Sequence, residues 1–179
     1  MSQPKRIILG VTGSIAAYRS ADIVRGFLEK GLRVSVVMTR AAEQFITPLT
    51  MSSLSGEQCY TSMFDAGDGS MPHIELARSA DALLIAPATA DVIGKLANGL
   101  ADDLLTCIAL CTKAPVFIAP AMNTEMYRHP IVQQNCEKLR SLNVTFIDSV
   151  EGGLACGTYG YGHIAEKETI VETVAKAIQ

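Results

Sequence analysis

The sequence predicts an α/β domain built on a doubly wound parallel sheet with helices on both faces. Short apolar runs alternate with longer amphipathic segments along most of the 179 residues, and this alternation is typical of parallel sheets. Turns rich in glycine and other small residues follow several of the runs, where such folds bind ligands. The length suits one core that needs no disulfide, so we expect residues 1–179 to form a single domain.

The first half of the chain contains two strand–helix pairs. Residues 6–11 (RIILGV) are apolar and predict a strand, and residues 15–29 predict a helix that ends at Lys30-Gly31, a C-terminal glycine signal. The same reading predicts a second strand over 33–38 and a helical segment over 41–46. Residues 47–71 are poorly periodic and contain three turn-forming glycines, so no element is predicted there.

The second half repeats the pattern with longer helices. Apolar runs predict strands over 81–86, 116–119 and 144–147. Amphipathic segments predict one long helix over 91–111, a helix over 131–141 and a closing helix over 166–178.

Composition excludes several classes of partner. The net charge is −3, with no basic run longer than a pair, which argues against nucleic acid or an anionic membrane surface. No apolar run is long enough to span a membrane, and the N-terminus lacks a signal-peptide core. The five cysteines are an odd number, which favours the reducing cytoplasm over a disulfide framework. We expect no metal site, because Cys107 and Cys111 suit helix packing.

The first turn, residues 10–17 (GVTGSIAA), suits a phosphate. Glycine allows close approach to the backbone, and the next helix offers its first N–H groups. A dinucleotide site would need an acidic residue after the second strand, where this chain has Thr39-Arg40. A mononucleotide is therefore preferred, although Arg40 keeps an NADP 2′-phosphate open and Ser14 could simply cap a helix.

Two further segments carry chemistry. Residues 120–127 (PAMNTEMY) follow a predicted strand, and core packing does not require Asn123 there; its amide suits a carboxylate or amide of a substrate. Residues 152–162 contain five glycines around Cys156, which predicts a mobile flap that carries a thiol. In the third turn, residues 86–92 (APATADV), small side chains would let a flat ring approach the backbone.

These segments, taken in order with His73 and residues 155–157 (ACG), resemble one family closely. They are similar to the homo-oligomeric flavin-containing cysteine decarboxylases, and among these to the phosphopantothenoylcysteine decarboxylases of coenzyme A biosynthesis. The resemblance covers nearly the whole chain and implies a Rossmann/flavodoxin-like sheet, FMN as cofactor, and a homotrimer or a dodecamer of trimers with flavin sites between subunits.

The resemblance also implies a role for each matching residue. The FMN phosphate would be held by Gly13, Ser14, Ile15 and Thr39. The flavin ring would lie against Thr89, Ala90, Asp91 and Val92, with Ala121 as a backbone contact. Catalysis would use His73 as the base, Asn123 to hold the carboxylate end of the substrate and Cys156 as the proton donor, with Met126 and Ala155 as further substrate contacts.

The implied reaction converts 4′-phosphopantothenoyl-L-cysteine into 4′-phosphopantetheine. Flavin oxidises the thiol carbon to a thioaldehyde, CO2 is lost, and the product is reduced again while Cys156 supplies a proton. Four residues depart from the usual family pattern: Asp91, Val92, Tyr127 and His163. A peptidyl-cysteine decarboxylase of lantibiotic maturation, a catalytically silent flavin-binding regulator and an NADP-dependent reductase stay as alternatives; the thiol of Cys156 argues against the first.

Overall fold

Six strands pair in parallel to form the central sheet of the computed structural model, which describes residues 4–64, 71–153, 157 and 159–179. They are β1 (Arg6–Val11), β2 (Arg33–Met38), β3 (Cys59–Tyr60), β4 (Ala82–Ala88), β5 (Val116–Pro120) and β6 (Thr145–Phe146). Their order across the sheet is β3-β2-β1-β4-β5-β6. The chain therefore builds outward from β1 to one side, returns to β4 beside β1, and continues to the other side, which confirms the predicted doubly wound sheet.

Helices cover both faces of this sheet. Within the described residues they are α1 (Arg19–Glu29), α2 (Pro48–Ser55), α3 (Pro72–Ser79), α4 (Ala90–Ala97), α5 (Leu104–Cys111), α6 (Thr124–Arg128), α7 (Pro130–Ser141) and α8 (Lys167–Ala177). One core contains Phe27 of α1 and Val174 of α8. The other contains Ile93 of α4, Leu105 of α5 and Leu139 of α7. No helix in the described part of the chain is long and apolar enough to cross a membrane.

The central strands explain why the apolar runs were continuous. Every residue of β4 is buried, and successive residues of β1 such as Ile7 and Ile8 belong to opposite cores. A parallel strand that is covered on both faces needs apolar side chains at every position. The bounds of β1 and β2 accordingly match the prediction residue for residue.

The prediction of one long helix over 91–111 is wrong, because two helices occupy this segment. Helix α4 ends at Ala97 with Asn98 as its C-cap, and Gly99 follows with φ 67°, a conformation that glycine adopts without a steric penalty. Helix α5 then starts afresh at Asp103, whose carboxylate accepts a hydrogen bond from the Thr106 N–H at 2.8 Å in a capping box.

Several short elements were not predicted. Helix α2 and strand β3 lie in the segment without periodicity, where only Met51 and Ser55 of α2 are buried. Helix α6 has only five residues, none of them buried. Residues 42–44 form a 3-10 turn in place of the longer helical segment predicted over 41–46.

The glycine-rich segment near the C-terminus contains a β-hairpin. Strands β7 (Val150–Gly153) and β8 (Tyr159–His163) pair antiparallel and stand apart from the central sheet. We call these two strands the hairpin. Its glycines have a packing role that the prediction of a mobile flap did not include.

Candidate active site

The carboxyl ends of β1 and β4 lie side by side, and the chain leaves them toward opposite sides of the sheet. This is the switch point at which doubly wound folds open a crevice. Thr12 joins the two turns here: its hydroxyl donates to the Pro87 carbonyl at 2.7 Å and accepts from the Thr89 N–H at 3.0 Å. The side chain is 1% exposed. Sequence reasoning missed Thr12; a polar residue between a buried strand and Gly13 was the available signal.

The described residues form two clefts at this edge. The first, which we call the switch cleft, has a volume of about 510 Å³ and lies between the turns after β1, β2 and β4. It brings together seven of the predicted site residues: Gly13, Thr39, Thr89, Ala90, Asp91, Val92 and Met126.

The second, which we call the hairpin cleft, has a volume of about 480 Å³. The turn after β1, the loop after β5 and the hairpin enclose it. Four predicted site residues line it: Ser14, Ile15, Ala121 and Asn123. Because Gly13 and Ser14 are consecutive, the two clefts adjoin, and these eleven predicted residues meet at one edge of the sheet.

The polar residues at these turns share one local geometry. Ser14 accepts a hydrogen bond from the Ala16 N–H at 3.3 Å, Thr39 from the Ala42 N–H at 3.3 Å and Thr89 from the Val92 N–H at 3.4 Å. Ser14 and Thr89 are thus N-caps of the helices that follow, whereas Thr39 supports the 3-10 turn 42–44 from outside, since the N-cap of that turn is Ala41. A hydroxyl that accepts in this way keeps its own hydrogen to donate, so capping and binding an anion are compatible roles for one side chain.

Asn123 caps helix α6 in the same manner. Its Oδ1 atom accepts a hydrogen bond from the Glu125 N–H at 2.8 Å. This contact fixes which end of the amide is the acceptor, and the Nδ2 end is the donor suited to a carboxylate. The side chain lies at the surface of the hairpin cleft.

His73 lines neither of the two clefts. It is the second residue of α3, which connects to β4 and therefore starts on the carboxyl side of the sheet. The imidazole is half-buried, and its Nδ1 atom has no hydrogen-bond partner among the described residues. Ala155 and Cys156, the remaining predicted residues, lie outside the described part of the chain.

Asp91 belongs to an ionic cluster at the wall of the switch cleft. The Lys95 ammonium is 3.6 Å from the Asp91 carboxylate, 3.1 Å from Asp102 and 3.6 Å from Asp103. Burial disfavours the charged ammonium, but the hydrogen bond to Asp102 and the three negative charges outweigh it and raise the pKa of Lys95. Lys95 therefore stays protonated, and the cluster carries a net negative charge.

His163 lies in the wall of the hairpin cleft. Its Nδ1 atom is 2.9 Å from the Ile164 carbonyl. Since a carbonyl can only accept, this contact places a proton on Nδ1 and makes Nε2 the acceptor of the neutral ring. Arg19, which was not predicted, also lines this cleft and pairs with Glu166 at 2.8 Å.

The strand order 3-2-1-4-5-6 and the crevice at the switch point define a doubly wound α/β protein of the Rossmann-like type. The sequence matches the family model described as Flavoprotein over residues 1–179, and the chain belongs to this family. Membership supports a flavin as the cofactor.

Known relatives and structures agree with this assignment. The chain is 48% identical over 168 residues to the coenzyme A biosynthesis bifunctional protein CoaBC of Vibrio cholerae; this match covers 93% of the chain but 42% of the relative, so the chain spans less than half of that protein. A PPC decarboxylase mutant complexed with pantothenoylaminoethenethiol superposes with a TM-score of 0.88, 35% identity and 97% coverage of both chains. The FMN-dependent cysteine decarboxylase SpaF superposes with a TM-score of 0.85, 28% identity and 99% coverage of both chains.

Proposed function

We propose that this chain catalyses the FMN-dependent decarboxylation of 4′-phosphopantothenoyl-L-cysteine to 4′-phosphopantetheine, a step of coenzyme A biosynthesis. One observation carries the proposal: Ser14, Thr89 and Asn123 converge at one sheet edge in a chain similar over 97% of its length to a PPC decarboxylase. The relatedness to CoaBC supports the same reaction.

The residues at the two clefts fit FMN. Small side chains, among them Gly13, Ala90 and Ala121, leave room for a flat ring. A Cβ atom on Gly13 would lie 2.4 Å from the Cβ of Ala41, so only glycine keeps this turn closed. Ser14 with Ile15, and Thr39, would hold a phosphate. The residues directly after β2 are Thr39-Arg40 and not the acidic residue that would bind the ribose of a dinucleotide.

FMN, when bound, would supply the two-electron oxidation and reduction that a cysteinyl carboxylate needs to lose CO2. The residues 89–92 and Ala121 would lie against the ring and exclude water from it. Arg40 at the rim of the switch cleft would add positive charge for a phosphate.

The remaining roles concern the substrate. Asn123 would donate from Nδ2 to the carboxylate end, with its Oδ1 held by α6. His73, whose Nδ1 atom has no hydrogen-bond partner in the described part of the chain, would serve as the base. Met126 would contact the substrate in the switch cleft, and the resemblance assigns Ala155 a substrate contact and Cys156 the final protonation.

The proposal includes a homotrimer or a dodecamer of trimers. Ile15 is 57% exposed and Tyr18 56% exposed at the hairpin cleft, and apolar side chains at a cleft rim suit contact with a second copy. Sedimentation of the purified protein would test this: a monomer at micromolar concentration would contradict it.

We also propose a cytoplasmic location. It rests on the thiol chemistry, since the described cysteines are unpaired: Cys59, Cys107, Cys111 and Cys136. Unpaired thiols persist in a reducing compartment.

The decisive experiment combines a spectrum with turnover. The purified protein should show a flavin absorbance and release CO2 from synthetic 4′-phosphopantothenoylcysteine. The variant Cys156→Ser should still release CO2 but fail to form fully reduced 4′-phosphopantetheine. Colourless protein that does not take up added FMN would overturn the proposal.

A peptidyl-cysteine decarboxylase is the second candidate, and the likeness to SpaF over 99% of the chain favours it. A peptide that ends in cysteine would then release CO2 faster than the phosphopantothenoyl substrate. A yellow protein that releases CO2 from neither would instead indicate a flavin-binding regulator.

A further inference from the structure

The hairpin is attached to the Asn123 loop by contacts on both sides of Asn123. The Met122 N–H donates to the Gly162 carbonyl at 3.0 Å, and the Thr124 hydroxyl donates to the Tyr161 carbonyl at 2.7 Å. Residues 122 and 124 flank the predicted substrate ligand, so the hairpin brackets it.

Two glycines of β8 make this approach possible. A Cβ atom on Gly160 would lie 2.7 Å from the Thr124 Oγ1 atom, and one on Gly162 would lie 2.1 Å from the Met122 carbonyl oxygen. Both glycines are buried, whereas Tyr159 and Tyr161 on the other side of the strand are exposed. The glycine face of β8 is therefore the docking face.

Gly162 also turns its carbonyl toward the N–H of Met122. The register pairs Val150 with His163 and Glu151 with Tyr161, which leaves Gly162 at a bulge, with φ 121°. A bulge of this kind turns a carbonyl out of the ladder, and here that carbonyl accepts from Met122. The hydrogen bond to Met122 therefore follows from the backbone geometry of β8 itself.

We propose that Thr124 is a positioning residue: by holding the hairpin, its hydroxyl sets Asn123 in the hairpin cleft and thereby the affinity for substrate. The inference rests on the proposed function, in which Asn123 binds the carboxylate end of the substrate. Thr124 itself lies outside the lining of both clefts and acts through its neighbour.

The test compares Thr124→Val, which keeps the shape but removes the donor, with Thr124→Ser, which keeps the hydroxyl. Thr112→Val is the matched control, since the half-buried Thr112 also donates to a backbone carbonyl, that of Ala77 at 3.2 Å, away from the clefts. In the FMN-loaded protein, Thr124→Val should raise KM by about fivefold to tenfold, with kcat and the FMN dissociation constant within about twofold. Thr124→Ser should restore KM. A KM for Thr124→Val equal to that of Thr112→Val would overturn the inference.

A second arm is independent of activity. Amide hydrogen exchange at residues 159–163 should accelerate in Thr124→Val and not in Thr124→Ser or Thr112→Val; unchanged exchange would also overturn the inference. If the wild-type protein released no CO2, the proposed function would fail, and hydrogen exchange would still decide whether Thr124 holds the hairpin.

The glycine contact supplies a double-mutant cycle. Gly160→Ala alone should accelerate exchange of the hairpin, because the new methyl group overlaps the Thr124 side chain. In the background of Thr124→Ala, which removes the overlapping atoms, the same substitution should have little further effect. Additive effects of the two substitutions would show that the residues do not touch and would refute the docking.

Discussion

The two edges of the central sheet use their polar groups differently. At the amino edge, charged groups satisfy one another: Glu57 pairs with Arg6 at 3.2 Å and Arg33 at 2.7 Å and accepts a hydrogen bond from Ser35. The carboxyl edge also carries charge, in the cluster around Lys95 and in the Arg19–Glu166 pair, but the groups that cap the helical turns beside the two clefts are uncharged hydroxyls and an amide. We therefore assign the two edges different roles. The amino edge stabilises the fold by joining β1, β2 and the segment before β3, and the carboxyl edge offers hydrogen-bond donors to the proposed ligand.

The largest effect is expected from Asn123→Asp at the carboxyl edge. The new carboxylate keeps an oxygen for the Glu125 N–H, so the cap survives, but it places a negative charge against the carboxylate of the proposed substrate. Like charges in contact cost several kcal/mol, so kcat/KM should fall by at least about 100-fold while the melting temperature changes by about 2 °C or less.

Asn98→Asp is the matched control. Asn98 caps α4 from its C-terminal side, donating to the Gly94 carbonyl at 2.8 Å, and lines neither cleft. It should leave kcat/KM unchanged. Retention of activity by Asn123→Asp would remove Asn123 from the substrate site.

Substitution at the amino edge should lower stability and leave ligand binding unchanged. Glu57→Gln leaves two guanidinium groups without their counter-charge, and the side chain is only 18% exposed, so we expect a loss of about 1–3 kcal/mol in the free energy of unfolding. The melting temperature should fall by about 3–8 °C, with FMN affinity unchanged.

Glu168→Gln is the matched control. It removes a carboxylate whose side chain is 67% exposed and pairs only with Lys167 among the ion pairs of the described residues, so the melting temperature should hardly change. Weaker FMN binding in Glu57→Gln would mean that the amino edge affects ligand binding at the carboxyl edge, and it would contradict the separate roles of the two edges.

Acid should erase the difference between wild type and Glu57→Gln. Burial alone would raise the pKa of Glu57, but the hydrogen bonds from Ser35 and Arg33 and the charges of Arg6 and Arg33 outweigh burial and lower this pKa from its ordinary value of 4.5. A lowered pKa in the folded state gives stability that is complete above the unfolded value and is lost as the pH falls through the folded value. Urea unfolding between about pH 7 and pH 3 should therefore show a gap that narrows below about pH 4.5; a constant gap would contradict this cause.

The smallest effect is expected from Asp91→Asn. It removes a negative charge from the wall of the switch cleft, but the side chain is 69% exposed and solvent screens it. The FMN dissociation constant should fall by about twofold to threefold, as measured by fluorescence titration. Asp102→Asn is the control, because Asp102 also pairs with Lys95 but does not line the cleft. An equal change of the FMN dissociation constant in both variants would contradict a specific effect of Asp91 at the cleft wall.

Five of the six strands of the central sheet could be predicted because they are largely apolar on both faces, as in β4 and in β1 after Arg6; the two-residue β3 is too short to give such a pattern. The turns after them could be predicted to meet, since parallel strands bring their carboxyl ends to one edge. The break between α4 and α5 was missed because the amphipathic pattern continues through Gly99, although that glycine and the cap at Asp103 were visible signals.

The docking of the hairpin could not be predicted in this way. It depends on contacts between residues 37 positions apart, such as Thr124 and Tyr161, and no local pattern encodes them. The glycines of β8 predicted a mobile segment, whereas the structure needs small residues there because the Thr124 side chain lies against Gly160 and the Met122 carbonyl against Gly162. The division of the predicted residues between two clefts, and the position of His73 outside both, likewise follow from three-dimensional packing.

The shared use of one side chain for capping and for ligand contact restricts how this chain can evolve. At Ser14, Thr89 and Asn123, a substitution that removes the oxygen would weaken a helix start as well as the proposed site, so drift should stay among Ser, Thr, Asn and Asp. Asp91 and Val92 carry no such cap and can vary at lower risk to the fold. Both line the switch cleft, so its wall can change in charge and shape independently of the start of helix α4.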